Sequence, residues 1–164
     1  MWRPMLCNEN IFADIQAENP EKAFEVILSA LKAPGLDLIQ RKTILRLLTF
    51  REQYGTTALG QGIALPHCFS PDISSPIVAF ARSRKGIDFP SLDGRPVHFI
   101  FLLILPQCAD AEQTKRDLLQ RIKWFLSDRY LQERLKTADT VDEIKTLLVP
   151  EVDSFEIVSE HMEA

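Results

Sequence analysis

The sequence predicts one layered α/β domain in which a mixed central sheet is covered by helices on both faces. Apolar residues recur with helical spacing in the first third of the chain, short apolar runs of strand length fill the middle, and helical spacing returns after residue 110. Helices, then strands, then helices imply a layered domain, and the irregular crossovers between strands imply a mixed sheet. A chain of 164 residues suits one domain, which we place at residues 1–150.

Composition excludes several classes of protein. A hydrophobic content of 46% and a charged content of 26% are those of a soluble globular protein. The apolar run at 99–105 is too short to span a bilayer, and the first residues do not resemble a secretory signal, so we expect no membrane insertion. Three widely spaced cysteines fit a reducing cytoplasm. The formal charge of −4, without a lysine or arginine cluster, argues against a nucleic-acid partner.

The first helix begins at Asn19-Pro20, an N-cap residue followed by proline at the first helical position. Before it, residues 1–14 are expected to form an entry strand or arm. Pro34-Gly35 ends the helix. Its apolar stripe consists of Phe24, Ile27, Leu28 and Leu31.

The second helix is predicted to begin at Asp37, whose pairing with Gln40 is typical of a capping box. It ends near Gln53, which places Arg51 and Glu52 in its last turn. Its buried face consists of Ile44, Leu47 and Leu48.

A glycine-containing stretch follows and leads into a short apolar run at 63–65. Gly60 and Gly62 allow the backbone to approach another backbone or a ligand closely. Pro66 cannot donate a hydrogen bond, so we expect the strand to end there and His67 to stand at its exit. A strand end is a rigid mount for a side chain that must meet an outside group.

The middle of the chain supplies the other strands. Residues 69–75 are rich in turn formers, 76–83 alternate as a strand, and 87–89 are short and extended. Asp93-Gly94 signals a turn before 97–105, the most apolar strand, which we expect to be buried on both faces. In the strand at 76–83, one face carries Ile77, Ala79 and Ala81, and the other carries Val78 and Phe80.

Three helices are predicted to close the domain, at 110–127, 129–136 and 141–148. Thr140 and Glu143 form a capping-box pair at the start of the last one. Residues 151–164 form an acidic C-terminal tail with poor patterning, which we expect to be a flexible end or a partner-dependent segment. The inward face of the long helix consists of Leu118, Leu119, Ile122, Phe125 and Leu126.

Several motifs together resemble one known family. They are Arg51-Glu52, the stretch GTTALGQG at 55–62, IALPH at 63–67, GIDF at 86–89 and DGRPV at 93–97. In this order and at these spacings they are similar to the enzyme IIA domain of the mannitol/fructose type of the phosphotransferase system, most of all to the nitrogen-regulatory enzyme IIA proteins. The similarity runs from about residue 10 to about residue 148. It implies the same fold, a central mixed sheet with helices on both sides.

The resemblance implies that His67 carries a phosphoryl group. A neutral imidazole is a competent nucleophile near pH 7, because its ordinary pKa is about 6.5. A phosphoryl group on a histidine nitrogen stays transferable, which suits a relay between proteins. On the residues alone, a structural histidine at a strand end is the more common situation.

Phosphoryl transfer also needs relief of the charge on the phosphoryl oxygens. Arg51, sixteen residues before His67, corresponds to the family's catalytic-site arginine, and its guanidinium fork can hold two oxygens. Glu52 is expected to orient Arg51. Thr57 and the N–H groups around Gly60 and Gly62 are expected to bind the phosphate. No cofactor and no metal are implied.

The sequence departs from the family at a second histidine, which usually opens the long helix and faces the first. The corresponding region is 112–118, where alignment places either Lys115 or Asp117, depending on a small gap. A lysine would neutralise a phosphoryl group, whereas an aspartate would repel it. His98 and His161 lie elsewhere in the sequence.

Other reactive side chains receive structural interpretations. Cys68 adjoins His67, but adjacent residues of an extended chain point to opposite sides, so we expect a small buried or loop thiol and not a Cys/His nucleophile. His67, Cys68 and Asp72 do not form a recognisable metal-ligand set. The basic stretch 82–85 is expected to be a solvated strand end that could help dock an acidic partner.

Three functional hypotheses follow. The first is a cytoplasmic phosphocarrier that accepts a phosphoryl group on His67 from an HPr-type carrier protein and passes it to a IIB domain, or instead regulates a target protein. A single domain without an attached IIB or membrane segment favours the regulatory version. The second is an interaction module that keeps the fold but no longer turns phosphate over. The third is an unrelated Cys/His hydrolase.

Overall fold

The computed structural model describes residues 6–149 of the chain. Five helices are present in that part: α1 (Pro20–Ala30), α2 (Leu38–Tyr54), α3 (Ala111–Leu126), α4 (Arg129–Thr137) and α5 (Val141–Leu148). Six strands accompany them: β1 (Ile11–Phe12), β2 (Ala58–Gly60), β3 (Ile63–Ala64), β4 (His67–Ser70), β5 (Ile77–Ile87) and β6 (Val97–Pro106). The six strands form one sheet.

The sheet is mixed, and strand β6 is at its centre. The strand order is β1-β5-β6-β3-β2, and β4 also pairs with β6. β5 runs antiparallel to β6, whereas β3 and β4 run parallel to it, one after the other along the same edge. β1 is parallel to β5, and β2 and β3 form an antiparallel pair. The predicted mixed sheet is therefore confirmed.

Strand β6 separates two apolar cores, one on each face of the sheet. Ile100, Leu102 and Ile104 pack on the side of α1 and α2. Phe99, Phe101, Leu103 and Leu105 pack on the side of α3, α4 and α5. Because successive side chains of a strand point to opposite faces, a strand buried on both faces reads as a continuous apolar run. The prediction of helices on both faces is confirmed.

The predicted helix starts are confirmed by their hydrogen bonds. The Asn19 side chain accepts from the N–H of Lys22, with Pro20 at the first position of α1. Asp37 and Gln40 form a complete capping box at α2. At α5 only half of the predicted box forms, because the Glu143 carboxylate accepts from the N–H of Asp139 and not from the N-cap residue.

The prediction that His67 stands at a strand exit is wrong. The chain leaves β3 at Ala64 but stays beside β6, where the carbonyl of Pro66 accepts from the N–H of Leu103 at 2.9 Å. His67 then opens β4, which pairs with β6 through Ser70. Phe69 and Ser70, predicted to belong to a turn, are therefore in a strand. Pro66 interrupts the sheet for two residues and does not end it.

Strand β5 is longer than predicted and includes the basic stretch. It continues to Ile87, which pairs with Val97, so 87–89 is not a separate extended piece. The register shifts between Arg82 and Ile87. Gly86 lies there with φ of +91°, and a Cβ at that position would lie 2.9 Å from Cβ of Pro96. Glycine therefore permits the close approach of β5 and β6 at this irregularity.

Some expectations fall outside the part of the chain that the structure describes. These are the acidic tail at 151–164, the first five residues of the entry arm and the side chain of Phe125. In the long helix α3, Leu118, Ile122 and Leu126 are buried as predicted. Across residues 6–149, no helix has the length and apolarity needed to cross a membrane.

Candidate functional site

The imidazole of His67 is fixed in one orientation and one tautomer. The residue is half-buried at the start of β4. Nδ1 lies 2.9 Å from the carbonyl oxygen of Leu65. Because a carbonyl oxygen can only accept, Nδ1 carries the proton and donates it. In the neutral ring, the lone pair is therefore on Nε2, which is the nitrogen left available for nucleophilic attack.

A chain of hydrogen bonds connects Glu52 to this imidazole. The Glu52 carboxylate accepts from the N–H of Thr57 at 3.0 Å and from its hydroxyl at 2.7 Å. The carbonyl of Thr57 accepts from the N–H of Leu65 at 3.0 Å. Leu65 in turn accepts from His67. Glu52 thus anchors the backbone that holds His67.

Arg51 and Glu52 are adjacent in sequence but make separate hydrogen bonds. Arg51, in the last turn of α2, donates from Nη1 to the carbonyl oxygen of Gly55 at 2.9 Å. The Glu52 carboxylate accepts from the Thr57 hydroxyl and from the Thr56 hydroxyl at 3.2 Å, whereas Arg51 is directed to Gly55. The positive charge of Arg51 lowers the pKa of His67.

Lys115 lies near His67, whereas Asp117 points elsewhere. The ammonium of Lys115 lies 5.5 Å from the ring centroid of Phe69, which follows His67 by two residues on β4. Residues two apart on a strand share a face. Asp117 is exposed and accepts from the Gln113 amide at 2.9 Å. Of the two residues that the alignment allowed, Lys115 is the one whose charge is among those that shift the pKa of His67.

The environment lowers the pKa of His67 below its ordinary value. Partial burial is the main cause, because desolvation disfavours the imidazolium. The hydrogen bond to the Leu65 carbonyl opposes this effect. The positive charges of Arg51 and Lys115 lower the pKa further, and the carboxylate of Glu112 raises it. The imidazole is consequently neutral at pH 7, the form that can act as a nucleophile.

We expect an NMR titration to give His67 a pKa below that of an unfolded histidine, about 6.5. The unfolded chain then binds the proton more readily than the folded chain. Folding stability attributable to His67 is therefore complete above pH 6.5 and decreases as the pH falls from there to the folded pKa. Arg51→Gln should move the titration upward, because a positive neighbour is lost. A titration at or above the unfolded value would contradict this account.

The glycines of the motif lie away from His67. The carbonyl of Gly62 accepts from the N–H of His98, while His67 pairs with Leu103. These two positions of β6 are five residues apart (103 − 98), which is about 16 Å along a strand. The structure therefore does not bring Gly62 next to His67.

The glycine loop has a structural anchor instead. The Asp93 carboxylate accepts from the N–H of Gln61 at 2.8 Å, and Gln61 has φ of +57°. Hydrogen bonds from Ser91, then from Gln61 and Arg95, lower the pKa of Asp93 to about 2. The DGRPV motif thus fixes the turn between β2 and β3.

Thr57 and Cys68 each belong to a structural contact. Both donors of Thr57, its N–H and its hydroxyl, are directed to the Glu52 carboxylate. Cys68 is buried in the core beside α1 and α2, and burial raises the pKa of its thiol to about 12. A thiol of that pKa is protonated at pH 7 and is a weak nucleophile. The predicted buried thiol is confirmed.

Two residues near the site were missed from the sequence. Phe69 was assigned to a turn, although strand alternation from His67 would have placed it on the same face. Glu112 lies one helical turn before Lys115, and its carboxylate is 3.2 Å from the ammonium. An i, i+3 pair of opposite charge is visible in the sequence once α3 is assigned.

Fold and site together define an α/β domain in which a neutral imidazole lies close to two positive charges, those of Arg51 and Lys115. The chain belongs to the family described as "Phosphoenolpyruvate-dependent sugar phosphotransferase system, EIIA 2", whose sequence model matches residues 5–149.

Three relatives illustrate the range of the family. The chain is 32% identical over 144 residues to the nitrogen regulatory protein of Bradyrhizobium diazoefficiens, covering 88% of this chain and 92% of the relative. It is 29% identical over 140 residues to the fructose-specific EIIABC component of Bacillus subtilis, covering 85% of this chain but only 22% of that longer protein. The crystal structure of the nitrogen regulatory protein IIA-Ntr from Neisseria meningitidis superposes with a TM-score of 0.80 at 27% identity, covering 90% and 98% of the two chains.

Proposed function

We propose that this protein is a cytoplasmic phosphocarrier of the phosphotransferase system that accepts a phosphoryl group on Nε2 of His67 from an HPr-type phosphohistidine carrier. The observation that carries the proposal is the fixed tautomer of His67: Nδ1 donates to the Leu65 carbonyl at 2.9 Å and leaves Nε2 unprotonated. Membership of the EIIA 2 family supports the same chemistry.

The transfer is a single displacement at phosphorus. The Nε2 lone pair of His67 forms a new N–P bond while the N–P bond to the donor's imidazole breaks, and that electron pair returns to the donor nitrogen. Nδ1–H of His67 keeps its proton and its hydrogen bond to Leu65. The anionic phosphoryl group then lies in the field of Arg51 and Lys115, which favours it electrostatically.

Arg51 can donate hydrogen bonds to the phosphoryl group while it keeps its hydrogen bond to Gly55. In the present structure Nη1 is used by the Gly55 carbonyl, while a guanidinium carries five N–H donors. The others can meet phosphoryl oxygens in a forked arrangement. Lys115, one of the two residues that the alignment allows at the position of the family's second histidine, supplies a further positive charge.

We further propose a regulatory role of the nitrogen-regulatory kind, in which the phosphorylation state of His67 controls binding to a target protein. One relative, of which the chain covers 92% of the length, is named a nitrogen regulatory protein. The other version of the function is transfer of the phosphoryl group from His67 to a IIB domain of a sugar transporter. The fructose-specific relative carries a matching segment within a much longer chain.

The alternative function is an interaction module that keeps the enzyme IIA fold without turning phosphate over. The lysine in place of the second histidine and the carboxylate of Glu112 beside it favour this alternative. Incubation with enzyme I, an HPr-type carrier and phosphoenolpyruvate, followed by mass measurement of the intact protein, separates the two. The phosphocarrier gains the mass of one phosphoryl group, and the interaction module does not.

Replacing Lys115 tests the second cation. Lysine and alanine are both good helix formers, so Lys115→Ala should change stability by only a few tenths of a kcal/mol, roughly. Loss of the charge contact to the phosphoryl oxygens should cost about 1–3 kcal/mol in the transition state, or about ten- to a hundredfold in rate. Lys115→His should speed transfer beyond that of the unaltered protein, if position 115 corresponds to the family's second histidine.

Stability and transfer rate are measured on the same Lys115 variants, by thermal unfolding and by rapid-quench phosphorylation. A matched control is Lys136→Ala, which removes a half-exposed lysine with the same i, i+3 glutamate from α4. If Lys115→Ala and Lys136→Ala transfer at the same rate, Lys115 is only a solvated helix residue.

A further inference from the structure

The ammonium of Lys115 is held between a carboxylate and an aromatic ring. Nζ lies 3.2 Å from Oε2 of Glu112 and 5.5 Å from the ring centroid of Phe69. The Lys115 side chain is only 23% exposed, compared with 50% for Lys136 in the same kind of pair on α4. The restricted lysine is therefore placed by its surroundings, whereas the pair on α4 is an ordinary surface pair.

Phe69 provides a fixed surface for this ammonium. It lies in β4, paired with Leu105 of the central strand, and packs against the core beside α3. A cation over an aromatic face is attracted by the ring quadrupole. Since Phe69 and His67 share a face of β4, an ammonium over Phe69 is also directed toward the phosphoryl site.

Glu112 also attracts this ammonium, but it competes for it with a phosphoryl group on His67. Its carboxylate is in the first turn of α3, and its negative charge raises the pKa of His67. With His67 unmodified, the carboxylate is the ammonium's anionic partner. A phosphoryl group on Nε2 would be a second and more highly charged partner, and it would be repelled by the Glu112 carboxylate.

We propose that Phe69 and Glu112 are positioning residues for Lys115. The Phe69 ring fixes the position of the Lys115 ammonium. The Glu112 carboxylate is its ion-pair partner until a phosphoryl group on His67 replaces that partner. No proton or covalent bond changes in this exchange. The inference rests on the proposed phosphorylation of His67. Its consequence is that Glu112 keeps phosphohistidine at this position less stable, and so more readily transferred onward.

The first experiment measures the equilibrium of phosphoryl exchange with the HPr-type carrier. Glu112→Gln should shift it about three- to tenfold toward the phosphorylated protein, because a repelling charge is lost and Lys115 is released. Glu133→Gln, which breaks the matched pair on α4, should leave it unchanged. An equal response of the two variants, or a shift toward the unphosphorylated protein in Glu112→Gln, would overturn the proposal.

The second experiment changes the ring. Phe69→Leu keeps an apolar side chain but removes the aromatic face, and should slow phosphorylation about three- to tenfold. Phe69→Tyr should restore the rate. Slow transfer in both variants would show that Phe69 contributes only packing, which contradicts the proposal.

A third measurement does not depend on phosphorylation. In NMR titrations of the unmodified protein, Glu112→Gln should lower the pKa of His67, and Phe69→Leu should raise it because Lys115 is no longer held nearby. Failure of the proposed function would leave the wild type unphosphorylated while these two shifts remain. His67 titrations identical to the wild type in both variants would reject the positioning roles themselves.

Discussion

The His67→Ala variant is expected to accept no phosphoryl group, while the wild type becomes phosphorylated under the same conditions. His67 offers an unprotonated Nε2 fixed by the hydrogen bond from Nδ1 to Leu65. A methyl group has no lone pair to form the N–P bond, so the loss is complete and not partial. Mass measurement after incubation with enzyme I, the HPr-type carrier and phosphoenolpyruvate gives the result directly.

The fold of this variant should be retained, because His67 is half-buried and the strand pairing of β4 with β6 uses backbone groups. Circular dichroism and thermal unfolding check this point. His98→Ala is the matched control: His98 is also half-buried and donates from Nδ1 to a backbone carbonyl, that of Ser83, at 2.8 Å. Acid-labile phosphate that persists in His67→Ala would show that another histidine is the acceptor.

Local signals were sufficient for the helices and for the central strand. Asn19-Pro20 and the Asp37–Gln40 pair act within a single turn, so the sequence contains everything needed to predict these starts. The apolar run of β6 is long enough to indicate burial on both faces. These elements depend little on distant partners.

Tertiary pairing decided the elements that were mispredicted. β4 exists because its backbone meets β6 beyond Pro66, and no local signal in the turn-rich stretch after His67 indicates that contact. The distance between Gly62 and His67 is likewise fixed by their common alignment along β6. A motif that is continuous in sequence therefore need not form one site.

The choice between Lys115 and Asp117 also required the structure. Residues two apart on a helix, such as Lys115 and Asp117, point in directions about 200° apart. A shift of two residues in the alignment therefore exchanges the inward face of the helix for the outward one. The contact of the Lys115 ammonium with the Phe69 ring on β4, together with the burial of Leu118 and Ile122, shows which face of the helix is turned inward.

The burial of Arg82 follows from the alternation of side chains along β5 and not from its charge. It was predicted to lie in a solvated strand end, yet it is 1% exposed and is among the largest fully buried side chains. Val78 and Phe80 precede it on the face beside α4 and α5, and Arg82 continues that face. The structure alone reveals its partners, which are backbone carbonyls from distant segments.

The guanidinium of Arg82 joins three parts of the chain. Nε donates to the carbonyl of Ala13 at 2.7 Å. Nη1 donates to the carbonyl of Leu135 at 2.8 Å and to that of Ala138. The last two carbonyls lie at the C-terminal end of α4, where helix carbonyls have no partner within the helix and a cation is favoured by the helix dipole. Arg82 thus connects β5 to α4 and to the segment after β1.

Replacement of Arg82 by methionine should lower the free energy of unfolding by about 3–5 kcal/mol, because buried carbonyls lose their donors. For a domain of this size, the melting temperature should fall by about 6–20 °C. Methionine keeps an unbranched apolar side chain, so most of the packing around the stem is preserved. Thermal unfolding followed by circular dichroism measures the loss.

Arg84→Met is the matched control for this prediction. Arg84 lies on the same strand and also donates to the carbonyl of Ala138, at 3.2 Å, but its side chain is 48% exposed and its ion pair with Asp139 is 3.6 Å long. An exposed pair of this kind contributes about 0–1 kcal/mol. If Arg82→Met is no less stable than Arg84→Met, the carbonyls of Ala13 and Leu135 are satisfied without Arg82. In that case burial of the guanidinium is tolerated by the fold and does not stabilise it.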